Sequence, residues 1–207
     1  MNAIRARLAA SLGDDRGMTL IEVVVAITIL AVLSTASLGV YLSGINSATA
    51  QQRREVAVTV ANSVLEAATL TPPANLYVGR DELAVKSLLA ANDTVASVKQ
   101  TYAGYQSPPV ALTPAVKPTQ TVTLNGTDYA VTTIIGTCFQ KKSGGTCTVS
   151  TGTYPAQPAV PADSLVLTRI VVIVRWTAGS TCAGGTCRYD TSTLVDRNSE
   201  LTWNVVD

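Results

Sequence analysis

The chain has 207 residues, a formal net charge of +1 and no histidine. Near-neutral charge leaves no global electrostatic footprint for nucleic acid, and the missing imidazole removes Ser-His-Asp triads, Cys-His pairs and most catalytic zinc sites. The length suits one membrane helix followed by one domain of about 130 residues.

Residues 1–17 carry Arg5, Arg7 and Arg16 with Asp14 and Asp15, and end in Gly17. An apolar run follows. Met18-Thr19-Leu20-Ile21-Glu22 opens it, and residues 23–42 are 20 consecutive positions without a charge. At about 1.5 Å per residue, a helix of that length covers about 30 Å, the thickness of a bilayer core. Glu22 is the lone carboxylate. A charge at the centre of a membrane helix costs about 2.5–3.5 kcal/mol on insertion scales; Glu22 lies near the end, costs less, and still requires a partner. The preceding arginines favour a cytoplasmic amino terminus, opposed by Arg53 and Arg54 on the far side.

Gly17-Met18-Thr19-Leu20-Ile21-Glu22 resembles the prepilin cleavage and methylation motif of type IV pilins and type II secretion pseudopilins. The resemblance implies that a membrane prepilin peptidase cuts after Gly17 and methylates the amine of Met18. It also implies that Glu22 meets that amine, on a neighbouring subunit or on its own chain. Such a pairing suits the physics, because an opposite charge keeps a carboxylate ionised in lipid. Two features depart from the usual pattern: the leader 1–17 is long and holds Asp14-Asp15, and Gly39 stands where many members have proline. Glycine in a helix interior costs about 1 kcal/mol relative to alanine, so Gly39 and Gly44 predict a soft point; the same glycines also permit close helix packing. Rival readings of this stretch are a signal anchor with a chance glutamate and a secretory signal cleaved near residues 34–39.

Beyond the apolar run, Val56, Val60 and Val64 recur with Ala57, Ala61, Leu65 and Ala68, while Gln51 to Glu55, Asn62 and Glu66 supply polar positions. This is an amphipathic helix with one packing stripe, stopped by Pro72-Pro73. One helix is therefore expected from about residue 18 to about residue 70. The domain reading is a leader at 1–17, a transmembrane and assembly half at 18–44, an amphipathic half at 45–71, and an exported head at 72–207.

Within the head, residues 80–91 read as a short helix, with Asp81-Glu82 favouring its start. The proline-rich residues 104–119 read as a surface loop, beside which Tyr102 and Tyr105 are a candidate sticky surface. Residues 121–124, Asn125-Gly126 and 128–139 form a hairpin signal with a type I′ turn. Residues 140–162, with Pro155, Pro158 and Pro161, read as a loop. The strongest strand is 164–176, apolar on both faces through its middle. Residues 189–195 return, and 199–206 read as a last short strand with Leu201 and Trp203 on one face.

Cys138, Cys147, Cys182 and Cys187 are an even set in a domain expected to be exported, which suggests two disulfides. Three pairings are possible. Cys138–Cys147 and Cys182–Cys187 are favoured because each brackets a Gly-Gly turn, at Gly144-Gly145 and Gly184-Gly185. A four-cysteine zinc site fits less well, since neither pair makes a tight knuckle on both sides.

The expected fold is α+β, a long amino-terminal helix on an antiparallel sheet of about four strands. The resemblance implies a structural, non-enzymatic minor pilin of a type IV pilus, with no cofactor and no metal. Its partners would be the prepilin peptidase, other pilin subunits, the pilus assembly platform and, before assembly, membrane lipid; no nucleic acid is indicated. The alternatives are a pseudopilin of a type II secretion or DNA-uptake system and an uncleaved, membrane-anchored surface-binding module.

Overall fold

A computed structural model describes residues 18–108, 112–149, 159–178 and 182–196. The leader 1–17, Pro155, Pro158 and the expected strand at 199–206 lie outside them. The chain divides into two compact units, residues 1–49 and 50–207.

Helix α1, Leu20–Thr69, is unbroken for 50 residues. Between residues 20 and 49 its side chains are exposed, apolar ones included. Within the second unit the same helix behaves differently. Ala57, Val60, Ala61 and Ala68 are buried, and Val56, Val64 and Leu65 pack against them. The spacing of three and four residues places these side chains on one stripe. Three of the four buried positions are alanine, which lets the helix backbone come close to what it covers. Pro72 and Pro73 end the helix, and Pro73–Asn75 continue as a single 3-10 turn.

The head is an antiparallel sheet of five strands: β1 (Tyr102–Ala103), β2 (Thr119–Leu124), β3 (Thr127–Lys141), β4 (Ser164–Thr177) and β5 (Thr186–Asp196). The order is β1-β3-β4-β5, and β2 also pairs with β3. Strands β1 and β2 follow one another along the same edge of β3, opposite Gly136–Thr137 and Thr127–Thr132 respectively. Strand β1, only two residues long, was not expected: it lies just before the stretch 104–119 that reads as loop. Its close approach needs Gly136: a Cβ there would lie 2.0 Å from the Tyr102 carbonyl oxygen.

The β2–β3 hairpin turns on Asn125 and Gly126, both at positive φ (51° and 70°), as a type I′ turn requires. In β4, Ile170, Val172, Val174 and Trp176 belong to the cluster shared with α1, whereas Val171 and Ile173 belong to a second cluster. That second cluster includes Val85 and Leu89 of α2 (Glu82–Ala91) and Val98 of α3 (Ala96–Lys99). The sheet is thus covered on both faces, which is why the middle of β4 is apolar without alternation. Asp81 caps α2, its carboxylate accepting from the Ala84 amide at 2.9 Å.

Candidate functional site

Helix α1 begins immediately after Thr19. The Thr19 carbonyl accepts from the amides of Glu22 (3.0 Å) and Val23 (3.3 Å). In return, one Glu22 carboxylate oxygen, Oε2, accepts from both the Thr19 amide and the Thr19 hydroxyl, each at 3.3 Å. Glu22 is therefore folded back on the first turn, at the positive end of the helix dipole, where a carboxylate is favoured. The Thr-x-x-Glu spacing is that of a capping box. Sequence reading singled out Glu22 and missed Thr19 as its partner, although this spacing was the signal.

Around that turn the surface is apolar: Met18 is 76% exposed, Leu20 82% and Ile21 67%. The helix that follows contains a window long and apolar enough to cross a membrane, none of it buried within the chain. Several of its hydroxyls bond back to the helix's own carbonyls. Thr28 donates to the Val25 carbonyl (2.8 Å), Ser34 to Leu30 (2.7 Å), Thr35 to Val32 (2.9 Å) and Ser37 to Leu33 (2.8 Å). In hydrocarbon each would otherwise be an unmet polar group. Gly39 and Gly44 lie inside the unbroken helix, and a Cβ built at either would touch nothing within 4 Å.

In the head, Cys138 is bonded to Cys147 and Cys182 to Cys187. The cystines close loops over Gly144-Gly145 and Gly184-Gly185, all four glycines at positive φ. The described residues contain no cluster of three His, Cys, Asp or Glu side chains able to hold a metal. The aromatic surface expected at Tyr102 and Tyr105 is not formed. Tyr102 is fully buried in β1 with its ring 5.3 Å from that of Phe139, and Tyr105 packs against the α2–α3 cluster. Neither presents a free sticky ring.

Two arginines do unforeseen structural service. Arg80, 2% exposed, donates to the carbonyls of Thr133 (3.2 Å) and Val116 (3.0 Å), and burial pushes its guanidinium down to about 10. Arg169 donates to the carbonyls of Ser97 (3.2 Å) and Gln100 (2.6 Å) at the end of α3, and to that of Cys147; burial lowers its pKa as well. Each uses the planar fork of guanidinium to tie a connecting segment to the sheet. Their burial depends on carbonyls distant in sequence, so no local pattern announces it.

Residues 13–38 match the family described as Prokaryotic N-terminal methylation motif. Neither a curated protein nor a solved structure matches the chain. The match covers Gly17 through Glu22 and the first half of the apolar helix, and leaves the head uncovered. A motif of this kind with an exposed apolar helix fits a membrane-anchored protein. The chain thus carries, at its amino terminus, the signature of type IV pilins and pseudopilins.

Proposed function

We propose that this chain is a minor pilin, a structural and non-catalytic subunit cut after Gly17 by a prepilin peptidase and assembled into a type IV pilus through α1. The observation that carries the reading is the conjunction at residues 13–38: a methylation motif, a carboxylate on the first helical turn, and an apolar helix with no cover of its own. Before assembly lipid covers residues 18–44; in the filament other subunits do. Cutting before Met18 places a new ammonium three residues ahead of Ile21 and next to Thr19, to which Glu22 already reaches. Pairing with that amine, or with a neighbour's, gives subunits a register, a use of buried charge with precedent elsewhere. A pseudopilin of a secretion or DNA-uptake machine would share every one of these features.

Intact mass and amino-terminal peptide analysis of sheared surface filaments and of membranes tests the reading. A chain beginning at methylated Met18 in the sheared fraction is the expected result. The same mature chain confined to membranes favours the pseudopilin, and an uncut chain returns the protein to an anchored binding module. Glu22→Val is expected to insert normally and to enter filaments about tenfold less, the size of one charge-assisted contact. Normal incorporation would contradict the registry role.

A further inference from the structure

At the end of the sheet where β3 stops and β4 starts there is a cleft of about 430 Å³, a volume in the range of small-molecule sites. Lys141, Thr146, Thr148 and Ser164 are polar residues of its lining, and Phe139 and Pro161 are apolar ones. Among the described residues no acidic one lines it. Lys141 makes no ion pair among the described residues.

The walls are held in place by bonds that do not depend on a ligand. The Cys138–Cys147 cystine closes one loop. Just inside it, Phe139 and Thr148 exchange both backbone hydrogen bonds at 2.9 Å. The Gln140 side-chain Nε2 donates to the Gly145 carbonyl at 2.6 Å, and the Gly144 backbone amide to the Lys141 carbonyl at 2.9 Å. Across the cleft, the Lys142 amide donates to the Asp163 carbonyl (2.9 Å) and the Ser164 amide to the Pro161 carbonyl (3.0 Å), while Lys141 and Ser164 face one another in register. A recess fixed in this way loses little freedom on filling, which is the condition for useful affinity from few contacts.

Its chemistry selects among ligands. Three hydroxyls and one unpaired ammonium disfavour an apolar guest, because each polar group would be desolvated without return. A single cation is too little for a polyphosphate. Hydroxyls that both donate and accept match the hydroxyls of a sugar, the exposed pyrrolidine of Pro161 offers a surface to its C–H face, and the ammonium of Lys141 meets a carboxylate. We infer that this cleft binds a carboxylate-bearing sugar, a uronic acid unit such as surface polysaccharides present. The inference is independent of the filament reading, since the cleft lies wholly within the head.

The test uses the full chain, isotope-labelled, in micelles of a detergent without sugar groups, titrated with glucuronate, glucose and acetate. The expected result is saturable shifts of the Lys141, Gly144, Gly145, Thr146 and Thr148 amides with glucuronate. Glucose and acetate should each bind about tenfold more weakly or not at all. Lys141→Ala is expected to weaken glucuronate about tenfold or more, and Lys142→Ala, outside the lining, to leave it unchanged. Four outcomes would overturn the inference: no glucuronate shifts, shifts mapping elsewhere, equal binding of glucose or acetate, or an unaffected Lys141→Ala. The Lys141 side chain is exposed and the contacts given above for this residue are made by its backbone, so Lys141→Ala is expected to fold, and an unchanged amide spectrum of the variant verifies this.

Discussion

Residues 20–49 and residues 50–69 belong to one α-helix, and both are rich in valine and alanine. In the second stretch the apolar residues fall on one stripe, interrupted by Gln51, Arg53, Glu55 and Glu66, and four of them are buried against the sheet. In the first they surround the helix, and Val32 and Val40 remain 68% and 75% exposed. A helix apolar all round cannot be satisfied by one flat partner; it needs a solvent of its own kind or several neighbours. The same helical backbone thus serves two environments, and the distribution of polar residues around it decides which.

Packing substitutions test this contrast most strongly. Ala61 is fully buried under the sheet, so Ala61→Leu is expected to destabilise the head by about 1–3 kcal/mol through overpacking. Ala31→Leu, on the exposed stretch, should stay within about 0.5 kcal/mol of wild type. Urea unfolding of the full chain in micelles, followed by tryptophan fluorescence, compares the two; equal losses would mean that residues 20–49 already have a packed partner within the chain.

Backbone substitutions come next. We propose that Gly39 and Gly44 make a soft point in the exposed stretch. With open space around both, Gly39→Ala and Gly44→Ala should each stabilise the helix by about 1 kcal/mol and slow hydrogen exchange across residues 39–44. Wild-type amides already fully protected there in filaments would remove the soft point.

A smaller effect is expected at Tyr129, whose hydroxyl donates to the Arg53 carbonyl at 3.3 Å and whose ring lies 6.0 Å from that of Trp176. Tyr129→Phe should cost about 0.5–1 kcal/mol. Burial also raises the Tyr129 pKa above the ordinary phenol value of 10.0. The native state then holds this proton more tightly than the unfolded one, so the contribution is complete below pH 10.0 and declines as pH rises toward the folded pKa. The alkaline decline should be shallower in Tyr129→Phe, and an unchanged pH profile would show that the phenol is not coupled to folding.

Features set by short-range chemistry were readable in the sequence. The helix is written in its unbroken apolar and then striped composition and in Pro72-Pro73; the hairpin is written in Asn125-Gly126, where both residues take positive φ. The cystines close over Gly-Gly pairs that local geometry can bend. What escaped depends on distant partners. Strand β1 exists because Gly136 lets Tyr102 approach, and two residues carry no period. Arg80 and Arg169 look like surface charges until the carbonyls of Thr133, Val116, Ser97 and Gln100 are brought to them. Tyr102 failed as a surface residue for the same reason: its proline-rich neighbourhood suggested exposure, and pairing with β3 buried it. At the amino terminus, Glu22 was legible because a charge in an apolar run stands out, while Thr19 did not.

The β2–β3 hairpin has a practical consequence. Leu124, Asn125 and Gly126 are exposed, and a Cβ at Gly126 would meet nothing within 4 Å. Exposed turn tips of this kind accept insertions with little loss of stability. A short epitope placed between Asn125 and Gly126 would leave α1, both cystines and the Lys141 cleft intact. It would give an antibody a handle for locating the protein, along a fibre, at its tip or in the envelope, without touching any residue proposed here to act in assembly.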